Sequence, residues 1–157
     1  MRTNLCRAVL ALTPFLLAVP AHAQGGDPFP NLIESIRSIE GVLGVTTAQT
    51  DDGKNVVFAW FADKAAALRW YHSPYHRSMQ NRFFPNRPER VPLEHIAENS
   101  GPILAVASVT FGPNGQFQQI AIELYQPLPG GLALGGTFAP ESLNVPHMIR
   151  TMPTGGN

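Results

Sequence analysis

The chain has 157 residues, with 11 basic side chains balanced by 11 acidic ones, and a single cysteine. A neutral balance argues against nucleic acid as a partner, because phosphate binding needs a basic footprint. One cysteine provides neither a disulfide framework nor a cysteine-based metal site. We therefore expect one domain of ordinary size that buries its core without such cross-links.

The N-terminal residues 1–23 have the pattern of a cleavable signal peptide. Arg2 and Arg7 give a positively charged start, and residues 8–19 are mainly apolar. Small residues at both ends of the segment 21–23 then predict cleavage before Gln24. The apolar run is shorter than the roughly 20 residues that span a bilayer, so we expect no membrane anchor after cleavage. The sequence predicts export to the periplasm or the medium.

A short linker and a helix are predicted next. Residues 24–30 contain two glycines and two prolines, which is typical of a linker. Asn31 can cap the helix and Glu34 follows three residues later, as in a capping box. Gly41 ends the helix. Residues 42–50 and 56–61 have strand composition and flank a turn at 51–54, which predicts a hairpin.

The next segment predicts a helix in two pieces. Asp63 is a suitable cap for the first piece. The dipeptide at 73–74 would break a continuous helix, but serine followed by proline also forms a new cap with proline at the first helical position. We expect the second piece to run to about Phe84. A basic, proline-containing loop at 85–92 and one short helical turn at 93–98 should follow.

A second hairpin and a tail complete the chain. Strands are predicted at 103–111 and 117–125 around a turn at 112–115, with Ile120, Ile122 and Leu124 on one face of the last strand. The tail, 127–157, is rich in glycine and proline. It is either disordered or an arm on a partner subunit, and its apolar residues favour an arm for 127–140.

These elements predict an α+β domain over residues 31–126, with the chain order α-β-β-α-β-β. This is a permuted version of the ferredoxin-like fold, a four-stranded antiparallel sheet with two helices on one face. The unpermuted order is β-α-β-β-α-β, with the strands arranged 4-1-3-2 in the sheet. We expect the final strand to fill the slot of the missing first strand, beside and antiparallel to its predecessor.

A run of weak motifs over residues 31–84 resembles one protein family. A glycine-containing turn into a strand, a tryptophan at a strand end, a capped helix with an alanine pair, and a Ser-Pro-x-His segment occur in that order. They are Glu40-Gly41-Val42-Leu43-Gly44-Val45, Val57-Phe58-Ala59-Trp60, Asp63-Lys64-Ala65-Ala66 and Ser73-Pro74-Tyr75-His76. The chain thus resembles the antibiotic-biosynthesis-monooxygenase group of the dimeric α/β-barrel superfamily. The resemblance implies a homodimer in which two such sheets close into a barrel. The chain departs from the family in lacking a strand before its first helix.

The same resemblance suggests where a site would lie. Monooxygenases of this group work without a cofactor, in a pocket that positions and polarises an aromatic substrate. Trp60, Tyr71, His72 and His76 could have those roles here, with His76 the first choice. We expect the end of the strand that carries Trp60 and the helix that carries the other three to converge on the gap between sheet and helix. The alternative is that these aromatic residues pack in the core or at the dimer interface.

Two other interpretations of this segment remain open. His72 and His76 are four residues apart, which could place two imidazoles on one helical face for a metal, but Pro74 lies between them. We assign no metal site. Trp70 with His76 resembles the pair that flanks the porphyrin in haem-degrading relatives, although the spacing is shorter.

The sequence is therefore compatible with three functions, and we assign no cofactor. The first is an exported domain that binds a small apolar or aromatic ligand. The second is a cofactor-independent monooxygenase, and the third is a haem-binding or haem-degrading protein.

Overall fold

The structure, a computed structural model, describes residues 28–112, 117–134 and 139–151. The predicted signal peptide, its cleavage site at Gln24 and most of the turn at 112–115 lie outside the described residues. None of the helices in these described residues has the length and hydrophobicity of a membrane-spanning segment.

The helices and strands follow the predicted order closely. They are α1 (Pro28–Arg37), β1 (Val42–Gln49), β2 (Asn55–Phe61), α2 (Lys64–Tyr71), α3 (Pro74–Phe83), β3 (Ile103–Phe111), β4 (Phe117–Tyr125), β5 (Leu132–Leu134) and β6 (Ile149–Thr151). The two-piece helix and both hairpins are confirmed. The short parallel pair of β5 and β6 was not predicted.

One predicted helix start and one predicted helical turn are wrong. α1 begins at Pro28, inside the predicted linker and three residues before Asn31. Proline is tolerated there because backbone N–H groups in the first turn of a helix have no helical partner. The segment 93–98 forms a turn closed by the Ile96 N–H and the Leu93 carbonyl at 3.0 Å, without becoming a helix.

The domain is α+β, and its main sheet is antiparallel with the order β1-β2-β3-β4. As expected, β4 lies antiparallel beside its predecessor. The slot of a missing first strand, however, would lie between β3 and β2. Instead β3 pairs with β2 directly, with Ala105 opposite Ala59, and β4 is an edge strand. The compositions explain this placement, since β3 is almost entirely apolar whereas β4 carries Gln118, Gln119 and Glu123.

The main core lies between the sheet and the first two helices. Alternate residues of β2, namely Val57, Ala59 and Phe61, face Ile36 of α1 and Ala66 of α2. Phe61 is only 2% exposed. This core holds α1 and α2 over the β1–β2 half of the sheet.

The junction between α1 and β1 requires a glycine. Gly41 has a φ of +85°, which L side chains rarely adopt, and a Cβ built there would lie 2.7 Å from the Cβ of Ala66. The prediction that Gly41 ends the first helix is wrong, since α1 already ends at Arg37. The glycine instead allows the turn before β1 and the close approach of α2.

A second core lies on the opposite face of the sheet. Trp60 packs there against Leu143 and Val145, which are 3% and 4% exposed. Arg150 fixes this C-terminal segment, because its Nη2 donates to the carbonyl oxygens of Pro140 at 2.8 Å and Leu143 at 2.7 Å. Residues 139–148, which we call the C-terminal strap, thus cover one end of that face.

The strap lies largely beyond the segment 127–140 that the sequence favoured as an arm. Leu128 and Leu132 are 83% and 63% exposed. Phe138 lies outside the described residues. The contact of this arm with a partner subunit stays a prediction.

Candidate functional site: a cleft between α3 and the sheet

Two side-chain caps position the helices of the site. The backbone N–H of Ala66 donates to Oδ1 of Asp63 at 2.7 Å, which begins α2. The backbone N–H of His76 donates to Oγ of Ser73 at 3.2 Å, which begins α3 with Pro74 at its first turn. The chain therefore ends one helix and starts another directly before His76.

An apolar cleft of about 320 Å³ lies between α3 and the β3–β4 half of the sheet. The sheet forms its floor. Its walls are formed by Trp70 and one side of α3, together with Leu32 and Ile36 of α1. The floor residues are Val57, Ala107, Val109, Phe111, Ile120 and Ile122, and the apolar wall residues of α3 and its end include Met79, Phe83 and Phe84.

The cleft is open to solvent along the edge strand. Ile122 and Leu124 lie on the face of β4 that points toward the helices, yet they remain 58% and 41% exposed. α1 and α2 pack over the other half of the sheet and do not cover them. Exposed apolar patches are common at the interaction surfaces of proteins.

His76 is the titratable imidazole in this cleft, and its tautomer follows from its hydrogen bond. Its Nδ1 lies 2.8 Å from the carbonyl oxygen of Tyr71. A carbonyl oxygen can only accept, so Nδ1 carries the proton. In the neutral ring, Nε2 is then an unprotonated acceptor.

The surroundings of His76 favour that neutral ring. Burial lowers the pKa of His76 below its ordinary value of 6.5, against a smaller opposing effect of the bond to Tyr71. The positive charge of Arg87 and the nearby His72 lower it further. The rings of Trp70 and Tyr71 lie 5.1 and 5.2 Å from the imidazole, centroid to centroid. At neutral pH the cleft therefore contains a hydrogen-bond acceptor with basic character.

The other predicted site residues are only partly brought together. Tyr71 supports His76 through its carbonyl oxygen. His72 is exposed outside the cleft, with its Nδ1 3.4 Å from Nη2 of Arg77. Trp60 lies on the opposite face of the sheet, so the expected convergence of Trp60 with the helix is wrong. Side chains alternate along β2, and because Ala59 and Phe61 face the helices, Trp60 between them faces away.

The spacing of the two histidines does not produce a metal cluster. Nδ1 of His76 is engaged by Tyr71. Across the parts of the chain that the structure describes, no group of three or more His, Cys, Asp or Glu side chains could hold a metal ion.

Sequence reasoning missed most of the cleft itself. Its floor comes mainly from β3 and β4, and two arginines, Arg82 and Arg87, lie among its lining residues. The alternation that places Ile120 and Ile122 on one face of β4 was visible in the sequence. Their position under α3 depends on the sheet order, which the sequence did not predict.

A scan against protein-family models gave no match, and searches of curated proteins and of solved structures gave none either. The function is therefore inferred from the geometry of the cleft.

Proposed function

We propose that this protein binds a small, mostly apolar ligand, with aromatic ligands favoured, in the cleft between α3 and the sheet. One observation carries the proposal: an open apolar floor faces a neutral histidine whose Nε2 can accept a hydrogen bond. An apolar cleft with a few convergent polar groups is the usual form of a small-molecule site.

The size of the cleft limits the ligand. Small-molecule sites run from roughly 300 to 1,000 Å³, and a volume of about 320 Å³ is at the small end. A body of one or two rings suits it better than a porphyrin. This supports a small aromatic ligand over the haem-binding alternative, although Trp70 and His76 do lie together in the cleft.

The second candidate is a cofactor-independent oxygenase, to which the chain bears a resemblance in sequence. The unprotonated Nε2 of His76 favours it, because a neutral histidine in an apolar pocket can accept a proton from a phenolic substrate. The resulting phenolate would be the species that reacts with oxygen. Oxygen uptake with quinol or anthrone-like substrates separates this function from simple binding.

We also propose a homodimer joined through the second face of the sheet, as in the dimeric α/β barrels. The strap covers only the end of this face near Trp60. Phe58 and Val106 lie further along the face and are only half-buried. A second copy of this chain would bury them.

Export is the remaining proposal. It rests on the charged start, the apolar run and the small residues before Gln24. Mass spectrometry of the protein recovered from the periplasm or medium should find an N-terminus at Gln24. A mature protein that still begins at Met1 would refute it.

Ligand screening tests the binding proposal. Thermal-shift assays with phenol, 2-naphthol and haemin should show stabilisation by the first two, and the absorbance of haemin in the Soret region should not change. His76→Phe keeps an aromatic ring but removes the hydrogen-bond acceptor, so it should weaken the binding of 2-naphthol. His72→Phe, outside the cleft, is the matched control. Equal binding to the wild type and both variants would remove His76 from the site.

A further inference from the structure

The charged residues that line the cleft all have the same sign. Arg82, near the C-terminal end of α3, and Arg87, in the turn that follows, both line it. No aspartate or glutamate occurs among the lining residues that the structure describes. A ligand in the cleft therefore meets positive charge at this end and apolar side chains along the floor.

Neither arginine is neutralised by the part of the chain that the structure describes. Nη2 of Arg87 donates to Oε1 of Gln80 at 2.7 Å, and its Nη1 lies 3.5 Å from Oδ1 of Asn81, which are uncharged partners. The guanidinium carbon of Arg82 lies 5.3 Å from the ring centroid of Phe83. The ion pairs of the described residues involve Lys54, Lys64 and His95 instead.

We propose that the ligand of this cleft is an amphipathic anion, with an apolar body of one or two rings and a carboxylate at one end. The body lies on the floor formed by Ile120 and Ile122, and the carboxylate meets Arg82 and Arg87. A guanidinium matches a carboxylate in geometry and can donate two parallel hydrogen bonds to it. The inference rests on the proposed binding function and adds the charge of the ligand.

The field of one arginine already reaches the interior of the cleft. The charge of Arg87 contributes to lowering the pKa of His76, after the larger effect of burial. A carboxylate at Arg82 and Arg87 would be attracted by that same field. A cationic ligand of the same shape would be repelled.

Calorimetric titration with two isosteric probes tests the inference. Naphthalene-2-carboxylate and naphthalene-2-carboxamide share the ring system and differ in charge. For the wild type we expect the carboxylate to bind on the order of tenfold more tightly, the usual worth of a hydrogen bond to a charged group. Arg87→Gln and Arg82→Gln should each reduce this preference. Both side chains are exposed, so the variants should fold.

Arg77→Gln is the matched control, since it removes the same charge from α3 outside the cleft. It should leave the preference unchanged. If wild type binds both probes equally, the anion inference is overturned while cleft binding stands. An equal loss of preference in the control would also overturn it, because any nearby positive charge would then suffice. If neither probe binds, the binding function itself fails.

Discussion

Protonation of His76 should make the stability of the folded protein depend on pH. Its folded pKa lies below the ordinary 6.5, so the unfolded chain binds more protons than the folded one as the pH falls. The neutral His76 therefore contributes to the free energy of unfolding above about pH 7. This contribution should be lost progressively as the pH drops through 6.5 and below. His76→Gln should remove this part of the loss.

Urea denaturation at several pH values between about 5 and 8 measures the effect. This pH range lies above the pKa of Asp52, which is lowered by the hydrogen bond of its side chain to Lys54. The difference in unfolding free energy between wild type and His76→Gln should change with pH in this range. A constant difference would mean that His76 titrates normally in the folded protein.

Lys64 is a buried cation that fixes the loop before β3. Its side chain is 7% exposed, and Nζ donates to the Ile96 carbonyl at 2.8 Å and to Oε1 of Glu98 at 2.5 Å. Lys64→Met keeps the apolar stem but leaves that carbonyl without this donor, which should cost about 1–3 kcal/mol. Glu98→Gln should cost less than about 1 kcal/mol because Glu98 is 87% exposed. Equal costs in urea denaturation would contradict this assignment.

At the scale of elements, the packing of the C-terminal strap should contribute to the free energy of unfolding. Leu143 is 3% exposed against Trp60, so Leu143→Ala should cost about 2–5 kcal/mol. Leu128→Ala is the matched control. Because Leu128 is 83% exposed, this substitution should change the free energy of unfolding by less than about 0.5 kcal/mol. A small effect for Leu143→Ala in thermal or urea unfolding would mean that the strap is not packed.

Local signals were enough to predict the four strands of the main sheet and the division between α2 and α3. Asp63 and Ser73 act as caps through bonds to residues three positions later, and such bonds can be inferred from neighbouring sequence. The period-2 alternation in β4 likewise placed Ile120 and Ile122 on one face.

What could not be predicted depends on contacts between distant residues. The order of the sheet follows from the pairing of β3 with β2, across more than forty residues of chain. The side of the sheet that Trp60 faces is fixed by the packing of its neighbours. Leu143 and Val145 stand in a proline- and glycine-rich tail without helical or strand periodicity, so nothing local predicted their burial against Trp60.

For the molecule as a whole, the proposed homodimer makes a direct prediction. Light scattering at micromolar concentration should give the mass of two chains. Val106→Glu places a second carboxylate beside Glu123, the residue opposite it on β4, and should give a monomer, because charged residues are disfavoured at interface cores and like charges repel. Gln119→Glu also adds a charge to the second face, but on the edge strand β4. It is the control and should leave the dimer intact. A monomer mass for the wild type would refute the dimer.

The occupation of the cleft is the central claim, and the two tryptophans allow it to be measured. Trp70 lines the cleft whereas Trp60 lies on the other face, so a Trp60→Phe variant leaves one reporter at the site. Titration of this variant with anilinonaphthalene sulfonate, an aromatic anion, should give saturable energy transfer from Trp70. Ala107→Phe, which fills the floor, and Ile122→Gln, which makes its exposed edge polar, should reduce that transfer. Ala48→Phe, on the opposite face, should not. If transfer in both floor variants matches that in Ala48→Phe while all three remain folded, the ligand does not occupy the cleft and the account is contradicted.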